Sequence, residues 1–236
     1  MYCFKSRVRY SEVDSEQNLT LPALMDYFQD CCTFQSEDLQ VGVDFLSESK
    51  GAWVLSSWEI VVNRYPKLAE EIEIATWAYD FKGFYGYRNF CIKDAAGEIL
   101  AIANSVWVYM DTEQMRPAKI PQKVAEIYIP TMEPQISYDW SERKIKTADT
   151  GVKKEPVAVQ RFHIDTNHHV NNGKYVLIAE EYLPEQYPVH SVRVEYKKAA
   201  VLGDCLYPQI FTGEGETTVT LSDENGKPYA VIQFKQ

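Results

Sequence analysis

The chain has 236 residues, 45% apolar content, 16 Tyr, 10 Phe and a formal net charge of −10. That length allows one large domain or two of roughly 110 residues, and the aromatic bias favours β structure around a buried core. The acidic balance excludes a general nucleic-acid binder, because phosphate contacts need a clustered basic face.

Segment 7–14 (RVRYSEVD) reads as a short strand ending at Asp14. It leads into LTLPALMDYFQDCCTF (19–34), where Leu21, Leu24, Met25, Phe28 and Cys32 lie three or four apart. That spacing predicts an amphipathic helix. Four alternating runs follow, at 53–66, 71–81, 85–94 and 98–111, as expected for antiparallel strands with one face on a core. The turn DAAG (94–97) is of hairpin type, with Gly97 supplying a positive φ. Residues 116–156 are rich in Pro, Lys and Glu and read as a connector with a short helix at 120–127.

The pattern then repeats. QRFHID (160–165) reads as a strand ending at Asp165, and VNNGKYVLIAEEYLPE (170–185) as a helix through Tyr175, Ile178, Ala179 and Tyr182. Alternating runs return at 191–200, 205–214, 217–223 and 228–235, with the turn DENG (223–226) as counterpart of DAAG. The expected organisation is an internal duplication: repeat 1–115, connector 116–156, repeat 157–236. The five cysteines (Cys3, Cys31, Cys32, Cys91, Cys205) are odd in number and irregularly spaced, which reads as reduced thiols. The opening MYCFKSRVRYSE has no apolar run like that of a signal peptide, and nothing approaches the roughly 18 apolar residues of a membrane span. A soluble cytoplasmic protein is expected.

Chemistry concentrates in RFHIDTNHHVNN (161–172), which holds three of the four histidines. His163, His168 and His169 offer neither a helical i, i+4 pair nor ligands from distant segments, so no metal site is expected. A helix start supplies unpaired N–H groups and a partial positive end, so the amides of Val170 and Asn171 are candidates to face an oxyanion. An aspartate upstream can orient water or an imidazole, and a histidine titrates near working pH. An Asp or Asn before a helix also reads as a cap. Asp14 occupies the matching place in the first repeat, but SEQNLT (15–20) follows it without a histidine. The chemistry is therefore expected in the second repeat.

One long helix wrapped by an antiparallel sheet is the hotdog fold, and two in tandem make a double hotdog of the α+β class. Asp165-Thr166-Asn167-His168-His169-Val170-Asn171-Asn172 resembles the D-x-N-x-H-V-N-N signature of the acyl-acyl carrier protein thioesterases. GAWVLSSWEIVVNRYP (51–66) and VEYKKAAVLGD (194–204) resemble two further strands of that family. The resemblance implies hydrolysis of a fatty acyl-carrier thioester to free fatty acid, without cofactor or metal. It carries Asp165, Asn167 and His169 over as catalytic; Val170, Asn171 and Asn172 at the helix start, and Trp53, are candidate substrate contacts. It assigns the first half to the acyl chain, with Trp53, Trp58, Trp77 and Trp107 as candidate tunnel walls. The partner implied is an acyl carrier protein, with a homodimer among the assemblies allowed. Carrier proteins are acidic, so Lys144, Lys146, Lys153, Lys154, Lys174, Lys197 and Lys198 are candidates for a local basic face.

The chain departs from the family at one place. Plant members carry a Glu-Cys pair four and five residues after the glutamate of E-Y-[RK]-[RK], and counting from Glu195 puts Ala199 and Ala200 there. With no cysteine nucleophile, direct attack by water is expected. Alternatives are an acyl-CoA thioesterase on the same fold and a non-catalytic acyl-binding protein.

Overall fold

The structure is a computed structural model that describes every residue except Asp149 and Gln186. It divides into two compact units. The first comprises residues 1–56 and 62–140; the second comprises residues 57–61 and 141–236.

The first unit opens with β1 (Tyr2–Arg7), followed by α1 (Leu21–Asp38), a short α2 (Val43–Glu48) and β2 (Gly51–Val62). Then come β3 (Glu71–Lys82), β4 (Tyr85–Asp94), β5 (Ile99–Asp111), the two-residue β6 (Arg116–Pro117) and α3 (Gln122–Tyr128). Thr20 caps α1, its Oγ1 accepting the Ala23 N–H at 3.3 Å, and Pro22 sits in the first turn, where its missing N–H costs nothing. Leu21, Leu24, Met25, Phe28, Cys31 and Cys32 form the buried stripe. The sheet runs β1-β3-β4-β5-β2, with its registered pairs antiparallel.

The second unit contains β7 (Val152–Lys153), β8 (Val157–Ala158) and α4 (Asn172–Glu180). They are followed by β9 (Ser191–Tyr196), β10 (Cys205–Gly213), β11 (Glu216–Ser222) and β12 (Pro228–Lys235). Its strands run β9-β12-β11-β10-β7, and residues 57–61 of β2 pair with β9. Numbered from the helix, both units place their four strands in the order second, third, fourth, first, with an extra strand beside the second. The chain thus repeats one topology, a helix on an antiparallel sheet.

Local structure differs from the sequence expectation in two ways. Segments 7–14 and 160–165 are not strands to their aspartates; each makes a 3-10 turn, Tyr10–Glu12 and Arg161–His163. The cause is a side chain that folds back. Arg9 N–H donates to Glu12 Oε2 at 2.8 Å, and Gln160 N–H donates to His163 Nδ1 at 3.0 Å, closing the turn. The helices are also unequal, 18 residues in α1 and 9 in α4. Tyr182, expected within the helix, lies in the turn after it, because Pro184 keeps the residues before it from continuing the helix.

Within the expected connector, residues 124–145 are anchored to the two units. Val124 and Tyr128 are buried in the first unit, and Asn89 Oδ1 accepts the Ile136 N–H at 2.9 Å. In the second unit, Glu59 accepts from both the N–H and the hydroxyl of Ser141 at 2.8 Å. Buried Ile145 donates its N–H to Glu195. Among the described residues, no helix is long and apolar enough to cross a membrane.

Candidate active site

Asp165 begins a tight hairpin turn, not a helix. Its N–H donates to His169 O at 2.8 Å and its C=O accepts the His168 N–H at 3.1 Å. Its Oδ1 accepts the N–H groups of Asn167 (2.8 Å) and His169 (3.4 Å), and Ile164 bridges Val170 across the base. The helix cap is a different residue: Asn171 Oδ1 accepts the Gly173 N–H at 2.9 Å. Asp165 and Asn167 therefore do not cap α4.

The same turn occurs at Asp14. Asp14 N–H donates to Asn18 O (2.9 Å) and Gln17 N–H to Asp14 O (3.1 Å). Asp14 Oδ1 accepts from Glu16 and Asn18 at 2.9 Å each, and Val13 bridges Leu19. Asp94 and Asp223 build the hairpins DAAG and DENG with identical connectivity. In those two the fourth residue is Gly97 (φ +88°) or Gly226 (φ +77°); at the other two it is Gln17 (φ +65°) or His168 (φ +61°). His168 thus fills the left-handed position of the turn, where side chains are strained and glycine is not.

What surrounds the two loops also corresponds. Leu19 N–H donates to Pro66 O at 2.8 Å, and Val170 N–H to Ala200 O at 2.9 Å. Thr20 N–H donates to Glu12 O at 2.9 Å, and Asn171 N–H to His163 O at 2.8 Å. The expectation that the Val170 and Asn171 amides meet an oxyanion is thereby corrected, since both already bind backbone carbonyls, and the Val170 side chain is buried. Asn172 is half-buried, and its C=O accepts the Tyr196 hydroxyl at 3.0 Å.

The loops differ in what they present. Asn167 and His169 are exposed, and neither side chain has a hydrogen-bond partner among the described residues; their first-repeat counterparts are Glu16 and Asn18. Asp165 is half-buried with Oδ2 free of any such partner. His163 is committed to its turn and buried; burial pushes its pKa below the ordinary value, the charge of Lys174 adding to the effect. Among the described residues, no group of three or more His, Cys, Asp or Glu side chains is placed to hold a metal ion.

Ala200 lies against the loop and is fully buried, while Ala199 is exposed. The Ala200 N–H donates to the hydroxyl of Tyr175 at 2.8 Å. Tyr175 is 2% exposed, and burial pushes its hydroxyl up to about 12. The helical spacing of Tyr175 marks it as a packing residue; its hydroxyl's role as an anchor requires the partner strand to be in place. In the first repeat this anchor has no counterpart, because Pro66 has no N–H to satisfy.

Of the four tryptophans expected as tunnel walls, Trp53 and Trp107 line a cavity of the first unit of about 60 Å³, together with Phe81, Arg88 and Tyr128. Trp77 instead packs on Ala75 and Cys91 and donates its Nε1–H to Pro134 O at 2.9 Å. Trp58, in the second unit, is 3% exposed. Lys197 pairs with Glu195 and Lys198 with Asp223 (2.6 Å), so those two charges are internally balanced. Lys144, Lys146, Lys153, Lys154 and Lys174 form no ion pair among the described residues, nor does the exposed Arg161.

Comparison with known proteins agrees across both units. The chain is 27% identical over 237 residues to a chloroplast acyl-[acyl-carrier-protein] hydrolase of Cuphea viscosissima, which covers 93% of this chain and 54% of that protein. A chloroplast palmitoyl-acyl carrier protein thioesterase of Cuphea hookeriana is 33% identical over 159 residues, covering 62% of this chain and 37% of that protein. The chain spans about half the length of the curated relatives it matches. An acyl-ACP thioesterase structure from Bacteroides thetaiotaomicron superposes with a TM-score of 0.89 at 21% identity, over 99% of this chain and 96% of that one. The 12:0-ACP thioesterase of Umbellularia californica gives 0.88 at 22%, with the same coverage. These two likenesses establish the double-hotdog fold. The model of the acyl-ACP thioesterase N-terminal domain matches residues 1–128 and that of the C-terminal domain residues 146–231, so the chain belongs to the acyl-ACP thioesterase family.

Proposed function

We propose that the chain hydrolyses a fatty acyl-carrier thioester at the Asp165 loop, releasing the free fatty acid and the carrier thiol. One observation carries the reading. The loops at Asp14 and Asp165 are held by the same backbone and carboxylate bonds, yet only the second presents an imidazole, that of His169, which the fold does not use; the first has Asn18 at that place. Groups that a loop does not need for its own structure are free for chemistry.

Water adds to the thioester carbonyl as its proton passes to Asp165 or His169, and the tetrahedral intermediate collapses by breaking the C–S bond. The proton then goes to the departing thiolate, so the acyl group gains OH and the sulfur gains H. With the Val170 and Asn171 amides occupied, the carboxamide N–H of Asn167 is the donor we assign to the oxyanion. Ala200 at the position of the plant cysteine supports attack by water over an acyl-enzyme. The role we assign to the first unit is holding the acyl chain, with Trp53 among its contacts. For the acidic carrier, Arg161 and Lys174 are stronger candidates than Lys197 and Lys198, which already have carboxylate partners.

The test is turnover of a ladder of acyl-carrier substrates against matched acyl-CoA, by the wild type and His169→Gln. Carrier substrates should turn over faster, and the variant should lose about 10²–10⁴-fold in kcat. Equal turnover by His169→Gln removes the assignment, and preference for acyl-CoA moves the substrate class.

A further inference from the structure

The cavity of the first unit contains a charge that its protein neighbours do not neutralise. Arg88 on β4 is 8% exposed and lines the cavity. Its Nη1 donates to Gln35 Oε1 and, at 3.1 Å, to Thr76 Oγ1, both neutral acceptors. Its guanidinium lies 5.5 Å from the centre of the Tyr128 ring. Among the described residues no carboxylate pairs with it, and its Nε and Nη2 N–H groups have no acceptor. Gln35 is held in its orientation, because its Nε2 donates to Thr131 Oγ1 at 3.0 Å. The arrangement fixes one edge of the guanidinium and leaves the other unfilled.

A buried guanidinium without a carboxylate is unfavourable unless something else supplies the negative charge. The unfilled Nε–Nη2 edge matches a planar carboxylate, which takes two parallel N–H···O bonds. A phosphate would want more donors, and no second cation lines the cavity. The rest of the wall is mainly apolar and aromatic, from Trp53, Ala78, Phe81 and Trp107, and its Ser36 hydroxyl is already paired with that of Tyr128 at 2.8 Å. Gly86 makes room for this wall, since a Cβ there would stand 3.0 Å from the Trp53 ring.

We propose that this cavity is a carboxylate site: Arg88 holds the ionised head group of a free aliphatic acid, and the aromatic wall covers the start of its chain. The assignment rests on the cavity and not on the thioesterase reading. If that reading also holds, the acid is the reaction's own product, occupying the place of the acyl chain and inhibiting competitively.

The test is equilibrium binding of dodecanoate and of methyl dodecanoate to the full chain, followed by tryptophan fluorescence and calorimetry without any carrier. Dodecanoate should bind at least tenfold more tightly than the ester, and Arg88→Met should abolish that difference. Arg88→Lys, which keeps the charge but not the fork, should retain part of it. Equal affinities for acid and ester in the wild type overturn the proposal without reference to any variant. So does discrimination that survives in Arg88→Met, or no binding of the acid at all. Turnover is measured separately, so loss of hydrolysis with intact acid binding counts against the function alone.

Discussion

Replacing each loop aspartate by alanine separates what the carboxylate does for the fold from what it does for the reaction. Asp14 accepts two N–H groups at 2.9 Å, while Asp165 accepts one at 2.8 Å and a second at a marginal 3.4 Å. Turn and cap carboxylates of this type contribute about 0.5–2 kcal/mol, so Asp14→Ala should cost about 2 and Asp165→Ala about 1 kcal/mol. At roughly 2–4 °C per kcal/mol for a chain of this size, the Asp14 variant should melt lower than the Asp165 variant. Activity should run the other way: Asp165→Ala should lose about 10²–10⁴-fold in kcat and Asp14→Ala no more than a few-fold. Calorimetric melting and steady-state hydrolysis of one acyl-carrier substrate, on the same preparations, give both orders. If kcat falls in proportion to stability across the pair, the carboxylates differ only as turn-formers and the reasoning fails.

His168→Gly should stabilise the protein by about 0.5–1 kcal/mol and leave kcat unchanged, since the turn wants a left-handed residue there; a large loss of kcat would show that the imidazole participates. Tyr175→Phe orphans the buried Ala200 N–H, which should cost about 1–3 kcal/mol in urea unfolding. It should also lower kcat several-fold, because Ala200 O holds Val170 beside His169; unchanged kcat would detach that strand from the reaction. Glu180 is pushed up to about 8 by burial, with the charge of Glu181 adding. Between the ordinary carboxyl pKa and 8, the folded state therefore keeps a proton that the unfolded state has lost. The resulting stability is fully present below about 4.5 and falls as pH rises through 8. Glu180→Gln should remove this slope, exceeding the wild type by a few kcal/mol near pH 8 and matching it near pH 4.5; parallel pH profiles would refute it.

The duplication was legible because each repeat restates the same periodicities: a 3.6-residue stripe, then alternation by two, with Gly97 and Gly226 at equivalent turns. Antiparallel strands joined by short hairpins are local, so their bounds in β3, β4 and β12 lie within a residue of expectation. The loops before each helix were harder. Glu12 and His163 do not belong to a local pattern, and only their side chains returning to Arg9 and Gln160 turn expected strands into 3-10 turns.

The site divides along the same line. The sequence alone placed Asp165, Asn167 and His169 in one short loop, because residues so close in the chain cannot be far apart. Only the tertiary structure decided which amides remain free, since the acceptors of Val170 and Asn171 come from Ala200 and His163. Arg88 shows the limit most clearly. In YGYRNF it is one charged residue in an apolar strand, and nothing nearby in sequence says whether a carboxylate will meet it. The neighbours that answer are Gln35 on a helix and Tyr128 on another, brought together by packing. Local hydrogen bonds and hydrophobic period are written along the chain, whereas the partner of a buried charge is settled by distant segments competing for the same space.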